Sequence, residues 1–462
     1  MKLVLLSGGS GKRLWPLSND TRSKQFLKVL EGNKEDKQSM VQRVWGQLET
    51  VGLAGSSVIA TSKMQRDMIH SQIGTNVPLI IEPERRDTFP AIALAASYLH
   101  SVLNVSKDEV VVVLPVDPYV DDNFFEKVKE LENVLLDSKA DLALVGVKPT
   151  YPSSKYGYIV PKDIVEEDSH FTVNHFTEKP SEEKAQTLID LNALWNCGVF
   201  AFKLDYLLNI LVEKELPHHF EELSQLYKTL PKISFDYEVV EKAQHIVALP
   251  YEGYWKDLGT WNTLTEEMAT SQIGKGVLSN DNENTHLINE LDIPVTVIGL
   301  KDVVVAASPD GILVSDKASS PKIKELISGF EQPPMYEERI WGWSRVLDYA
   351  KYDGGNEMVT KRICIHEGKN SSYHYHNLRD EVWTIVRGEG ELALDDHITR
   401  VKAGDIIHLP AGKKHGIKAL SELEFIEVQT GIGISDQDFT RLYFEWEDVI
   451  NHFQRTKAKV IL

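Results

Sequence analysis

Residues 3–27, LVLLSGGSGKRLWPLSNDTRSKQFL, set three glycines and several fixed cations directly behind a short apolar run. Gly8, Gly9 and Gly11 carry no Cβ, so their backbone N–H groups can approach an anion closely. Successive N–H groups in such a turn form an anion-binding nest. Arg13 adds a planar fork suited to phosphate oxygens, and Lys24 adds a mobile point charge. Two commoner glycine loops are excluded. A Walker loop needs Gly where Leu6 stands and Ser or Thr where Arg13 stands. A dinucleotide fingerprint needs a third Gly where Leu14 stands. The stretch reads as a phosphate site of another kind.

Two carboxylates suit a metal ion beside such a site. VVVLPVDPYVDD places Asp117 just beyond a hydrophobic strand, and YWKDLGTW places Asp257 in an aromatic loop. Mg²⁺ takes oxygen ligands and usually only one or two protein carboxylates, the rest being phosphate and water. Further on, GKNSSYHYHNLRDEVWTIVRG and GDIIHLPAGKKH carry His374, His376, Glu381 and His415. Alternation along a strand puts His374 and His376 on one face. Three imidazoles and a carboxylate make a site for a divalent transition metal, Zn²⁺ or a similar ion. His408 falls off this pattern and reads as a strand residue.

The elements that must position these groups follow from hydrophobic periodicity. Leu3–Leu6, Val58–Ala60, Leu79–Ile81, Val110–Leu114 and Leu142–Val147 read as buried strands. Met40, Val41, Val44, Trp45 and Leu48 share one helical face, and an apolar helix is expected from Pro90 through Leu103. The alternation implies a largely parallel sheet covered by helices, with ligands beyond the carboxyl ends of its strands. From about 270 to 328 the chain is β-rich and punctuated by Gly, Asp and Pro, while FEQPPMYEERIWGW reads as a linker. Alternating strands from about 344 to 445 suggest a barrel or sandwich.

The chain has 462 residues, 42% of them hydrophobic, and a formal net charge of −19. That length suggests two or three domains. The acidic balance argues against nucleic acid or an anionic membrane as the main partner, so the basic glycine loop is a local exception suited to an anionic substrate. There is no apolar run of membrane length, and the apolar residues before Ser7 are too few for a signal peptide, so none is expected. Cys197 and Cys364 cannot form a disulfide framework, so a reduced, cytoplasmic protein is expected.

The N-terminal stretch resembles the signature of mannose-1-phosphate guanylyltransferases, Gly-Gly-Ser-Gly-Thr-Arg-Leu-Trp-Pro-Leu followed by Pro-Lys-Gln-Phe. Lys12 replaces Thr and Ser23 replaces Pro, and neither change removes a charge. Asp117 and Asp257 match the family's metal carboxylates. IIEPERRDTFPAIALAA resembles its nucleotide-side segment, which implies nucleotide contacts from Glu82, Arg86, Asp87 (where the family has Asn) and Thr88. The family's sugar-side loops are matched at Gly157, at Glu178 and Lys179, and at Asn196. Asp236 is expected to be structural. The histidine stretches carry the two cupin motifs, and Trp341-Gly342-Trp343, Lys361-Arg362, Arg379 and Ile426–Gln429 resemble the isomerase-like cupin of bifunctional family members. An Arg and an Asn of that cupin's usual pattern are absent, so isomerase activity is left open.

The resemblance implies an α/β protein of three parts. These are a Rossmann-like, GT-A-like nucleotidyltransferase domain (1–265), a short β-helix-like connector (266–329) and a C-terminal all-β cupin barrel (330–462). It implies GTP and mannose 1-phosphate as substrates, mannose 6-phosphate as a candidate for the cupin, Mg²⁺ at the transferase site, and it allows a homodimer. Another base or sugar specificity fits the same motifs, as does a non-catalytic nucleotide-sugar sensor. Loss of Asp117 or Asp257 would favour the sensor, and both are present.

Overall fold

The computed structural model describes residues 1–9, 12–32, 37–162, 170–330, 332–434 and 438–460. Gly11, a candidate phosphate ligand, lies outside the described residues. The chain forms two compact units. One comprises 1–14, 23–271 and 316–323; the other comprises 15–22, 272–315 and 324–462.

The first unit is built on a nine-stranded sheet. Lys2–Ser7 lies between Ser57–Ser62 and Val110–Pro115, parallel to both. Side chains alternate between faces. Leu3 and Leu5 therefore enter a core with the helices Met40–Thr50 and Asn123–Ser138, while Val4 enters another with Thr88–Ser101 and Leu204–Glu213. The expectation of a largely parallel sheet needs correction. Leu194–Lys203 runs antiparallel to both of its principal neighbours, Val110–Pro115 and Leu142–Val147, and the far edge is antiparallel as well. A strand buried on both faces is apolar throughout whichever way it runs, so its direction leaves no trace in the residue pattern.

The helix expected from Pro90 begins earlier, at Thr88. Asp87 caps it by accepting a hydrogen bond from Thr88 N at 2.8 Å, and Pro90 falls in the first turn, where its missing N–H costs nothing. No helix among the described residues is long and apolar enough to cross a membrane.

The second unit joins the connector strands to the cupin. Its connector strands pair in parallel: Gln272–Gly274 with His286–Asn289, that strand with Val303–Ser308, and Gly276–Leu278 with Val295–Val297. The cupin consists of a six-stranded and a five-stranded sheet, with Ile363, Trp383, Leu392, Ile417 and Phe425 in its core. The segment read as a linker contains a strand, Tyr336–Arg339, which pairs with Gly342–Lys351. Its charged residues hid it, because an edge strand needs no apolar face on the solvent side.

Residues 15–22, which follow the glycine turn in sequence, belong to this second unit and are fixed there by side chains. Arg22 donates to both oxygens of Glu290 at 2.8 and 2.9 Å. Asn19 donates to Asp310 at 3.0 Å, and Ser308 donates to the Pro16 carbonyl at 2.6 Å. Glu290→Ala would leave the Arg22 charge half-buried and unpaired, which should cost on the order of 3 kcal/mol. Urea unfolding of parent, Glu290→Ala and Glu290→Asp checks this. A midpoint unchanged in Glu290→Ala would show that the pair does not hold the segment.

Candidate active site and metal cage

Pairing of two short strands assembles the phosphate end. Trp255–Asp257 runs antiparallel to Pro118–Val120 with Asp257 opposite Pro118, so the carboxylates of Asp117 and Asp257 arrive together. Lys24 Nζ lies between them, 2.9 Å from Asp117 and 2.7 Å from Asp257. Burial alone would lower the Lys24 pKa, but the charges of Asp117 and Asp257 outweigh it and hold the ammonium protonated. Burial would likewise raise Asp257; Lys24, with Arg13 and Lys155 further off, keeps it below its ordinary value. Lys24 therefore sits on the carboxylates rather than standing free as a phosphate ligand. Two carboxylates converging on one cation leave a net negative charge, a donor set that fits a hard divalent ion.

The glycine turn is held by its neighbours. Ser23 Oγ donates to Gly9 O at 2.8 Å, and Gln65 donates to Ser23 Oγ and Gly9 O. The Ser that replaces the family's Pro thus gains a function. A Cβ on Gly8 or Gly9 would approach no atom of the described residues closer than 3.6 Å, so packing against those residues does not demand glycine and leaves room there. Arg13 is exposed at the end of this turn.

On the nucleotide side, Glu82 is buried against Gly8 and accepts from the Tyr227 hydroxyl at 2.8 Å. Burial pushes its carboxyl up. Arg86 donates to Leu230 O at 2.7 Å and pairs with Glu84. Thr88 Oγ1 accepts from Phe235 N. Asp87 holds φ +71°, a conformation L side chains rarely adopt, and such strain gathers at functional positions. Arg86 and Thr88 brace the neighbouring backbone, whereas Glu82 alone meets the glycine turn.

The sugar-side residues form one cluster. Asn196 N donates to Gly157 O at 2.8 Å and its amide donates to Asp236 at 2.7 Å. Lys179 pairs with Glu178 at 2.6 Å, while Glu178 Oε2 is buried with no hydrogen-bond partner among the described residues. Burial and then the charge of Glu178 raise Asp236, so its carboxyl holds a proton more firmly than an ordinary carboxylate. A Cβ on Gly157 would come within 2.5 Å of both Glu178 and Phe176. Gly157→Ala should therefore cost about 1–3 kcal/mol and raise the KM for sugar phosphate. Thermal melting and initial-rate kinetics test this; parental values for both would mean that the approach is not tight. Tyr156, which opens the matched Tyr-Gly-Tyr-Ile loop, feels the charge of Asp257, and Lys155 helps to lower Asp257; neither was given a role from sequence.

The cupin histidines converge as their spacing implies. His374 lies opposite His415 on adjacent strands, and ligand nitrogens of His374, His376 and His415 all fall within 4.8 Å of one another. Each Nδ1 faces a backbone carbonyl: Ser372 at 2.7 Å, Asp438 at 2.5 Å and Lys413 at 2.9 Å. A carbonyl only accepts, so each Nδ1 carries the proton and each Nε2 keeps its lone pair for a metal. Glu381 stands 3.3 Å from His376 Nε2 and 3.4 Å from His415 Nε2. His415 Nε2 is buried without a hydrogen-bond partner among the described residues. The four residues fit a transition-metal ion.

Sequence reasoning assigned no roles to the groups around the cage. Arg379 reaches His376 Nε2 at 2.9 Å and Glu381 at 3.2 Å. The Phe439 ring stacks on His374 with centroids 4.2 Å apart. Glu427, bonded by Trp383 at 3.0 Å and Gln429 at 2.9 Å, is raised by burial and then by the charge of Glu381. Burial, with Arg379 adding to it, lowers His376 to about 4, and burial with the other imidazoles lowers His374 well below its usual value. These two rings are already neutral near neutrality, so metal binding displaces no proton from them. Zinc affinity should accordingly fall no more than about fourfold from about pH 8 to pH 6, the change that one free imidazole of pKa ~6.5 gives, where three would lose far more. Competition titrations at the two pH values check this, and a steep fall at the lower one would contradict the assignment of neutral rings.

Comparison with known proteins matches both parts of the chain. Residues 2–272 match the nucleotidyl transferase family and residues 361–429 match the cupin domain family. The chain is 28% identical to the alginate biosynthesis protein AlgA of Pseudomonas putida, covering 96% of this chain and 95% of that one. It is 29% identical to a putative mannose-1-phosphate guanylyltransferase of Vibrio cholerae over 95% and 98% of the two chains. It is 28% identical to mannose-1-phosphate guanylyltransferase of Escherichia coli K12 over 95% and 97%. A crystal structure from Thermus thermophilus, described as mannose-1-phosphate geranyltransferase, aligns with TM-score 0.57 and 28% identity, covering 71% of this chain and 98% of that one.

Proposed function

Since this chain belongs to the nucleotidyl transferase family and carries a C-terminal cupin domain, we propose that it transfers GMP from GTP to mannose 1-phosphate. The products are GDP-mannose and pyrophosphate. The observation that carries this reading is the convergence of Asp117, Asp257 and Lys24 beside a glycine turn with room for phosphate. A sugar-1-phosphate oxygen attacks the α-phosphorus in line, and the bond from that phosphorus to the bridging oxygen of pyrophosphate breaks. The nucleophile's second pKa is ~6, so it is ionised near neutrality and no general base is needed. The work left to the protein is positioning and neutralisation of charge.

Gly8, Gly9 and Arg13 hold the triphosphate, with Glu82, Arg86, Asp87 and Thr88 on the nucleotide side. Glu178, Asn196 and Gly157 meet the sugar hydroxyls, and Lys179 meets the sugar's phosphate. Asp117 and Asp257 would hold Mg²⁺, which when bound offsets negative charge on the leaving pyrophosphate. Lys24 keeps the two carboxylates together. The homologues named guanylyltransferase support GTP as the donor. In the cupin, His374, His376, His415 and Glu381 would hold Zn²⁺ or a similar ion, and mannose 6-phosphate is the proposed ligand. Glu427 keeps a proton within that polar network, which suits proton movement between adjacent sugar carbons. The enzyme acts in the cytoplasm.

Initial rates with GTP, ATP, UTP and dTTP against mannose 1-phosphate and glucose 1-phosphate test the assignment. GTP with mannose 1-phosphate should give the highest kcat/KM, and a higher value for any other pair would replace it.

A further inference from the structure

The motif residues of the cupin's six-stranded sheet divide between its two faces. Ile363 and Ile365 enter the barrel core, whereas Trp343 lies opposite the intervening Cys364 and Arg345 lies opposite Arg362. Alternation therefore sends Trp343, Arg345 and Arg362 to the outer face, away from the histidine cage. Tyr336, opposite Arg345, joins them there. Across from this face stand Arg22 and the connector residues Glu290 and Asp292, enclosing a cavity of about 490 Å³. Neither the transfer reaction nor the metal cage uses it.

Its chemistry is specific. Three guanidinium groups and two carboxylates line it, and Arg362 is paired besides to Glu424 at 2.9 Å, so the arginines offer an anion their remaining N–H donors rather than an excess of charge. Arg22 is paired to Glu290 and Arg345 to Asp292 at 3.2 Å. Arg22 Nε is shielded from solvent with no hydrogen-bond partner among the described residues. The Tyr336 and Trp343 rings stack 6.4 Å apart at 27°, and the Arg22 guanidinium lies 5.5 Å from the Tyr336 ring centre.

We propose that this cavity is a separate binding site for a hexose phosphate. Planar guanidinium forks match phosphate oxygens. The Trp343 ring gives an apolar surface for the C–H face of a pyranose, and Glu290 and Asp292 accept from its hydroxyls. The volume falls in the range of small-molecule sites. A bare phosphate would use the arginines alone and leave the aromatic wall and the acceptors idle.

Hydrogen–deuterium exchange of the full chain localises binding. With mannose 6-phosphate, segments 15–22 and 336–347 should become protected, in the parent and equally in His376→Ala. Arg345→Ala should weaken that protection roughly tenfold or more, since each such charged hydrogen bond contributes ~1.5–3 kcal/mol. The Asp292 partner of Arg345 is exposed, so this variant keeps its fold, and Trp343→Leu gives a second check. Mannose 1-phosphate in a parallel arm shows which phosphate position is preferred, and protection by either supports the class. Equal protection by inorganic phosphate or GMP overturns it, as does protection that is absent, lost in His376→Ala, or unchanged in Arg345→Ala and Trp343→Leu.

Discussion

Asp257→Ala and Asp117→Ala should each lower kcat for guanylyl transfer by ~10²–10³ while leaving the first unit folded, the loss typical when one preorganised electrostatic contact is removed. Both carboxylates lie within 3 Å of Lys24 Nζ, at 2.7 and 2.9 Å, so each variant still leaves the ammonium one partner. No isolated buried charge results, and the circular dichroism spectrum should be parental. The deficit should fall on kcat more than on the KM for mannose 1-phosphate, because Glu178, Lys179 and Asn196 remain in place. Arg13→Ala should behave similarly, since its exposed guanidinium is available to the triphosphate. Turnover within a factor of two of the parent, for any of the three, would remove that residue from the mechanism.

His376→Ala should do the opposite. The purified parent should carry about one transition-metal ion per chain in the cupin, and the variant close to none, because three remaining ligands bind far more weakly than four. Any conversion of mannose 6-phosphate to fructose 6-phosphate by the parent should disappear with that metal and survive Asp117→Ala. Guanylyl transfer should stay within about twofold, because in-line phosphoryl transfer needs no group from the cupin. Elemental analysis beside a coupled isomerase assay reads both. Equal metal in the two proteins would sink the ligand assignment, and abolished transfer in a folded variant would refute the independence of the two activities.

Much of the site was legible because its residues are local or periodic. His374 and His376 needed only the two-residue repeat of a strand, and the helix over Met40–Thr50 needed only its apolar stripe. Asp117 was visible as a carboxylate after an apolar strand. The partnership of Lys24 was not. It depends on Trp255–Asp257 pairing with Pro118–Val120, a contact between segments far apart in sequence that no local pattern encodes. The same holds for residues 15–22, which follow the glycine turn yet fold with the connector through Arg22–Glu290 and Asn19–Asp310. The reversed direction of Leu194–Lys203 was hidden for another reason: burial on both faces erases the periodicity that would mark it. Glu427 was matched only as a member of the Ile426–Gln429 cupin motif, without a role, and only its placement beside Glu381 and Gln429 gives it a retained proton. The division of Lys361 from Arg362 was implicit in alternation but meaningless until the registers were known.

The central claim is direct attack of the sugar phosphate on the α-phosphorus of GTP at the Asp117–Asp257–Lys24 cluster, and an isotope experiment addresses it most directly. Mannose 1-phosphate labelled with ¹⁸O on its phosphate oxygens is incubated with GTP, Mg²⁺ and the full chain, and the products are read by ³¹P NMR and mass spectrometry. Direct attack predicts GDP-mannose and pyrophosphate in equal amounts, with one ¹⁸O in the bridge between the two phosphorus atoms and none in pyrophosphate. Label in pyrophosphate, or GMP released at the same rate without mannose 1-phosphate, would contradict the account.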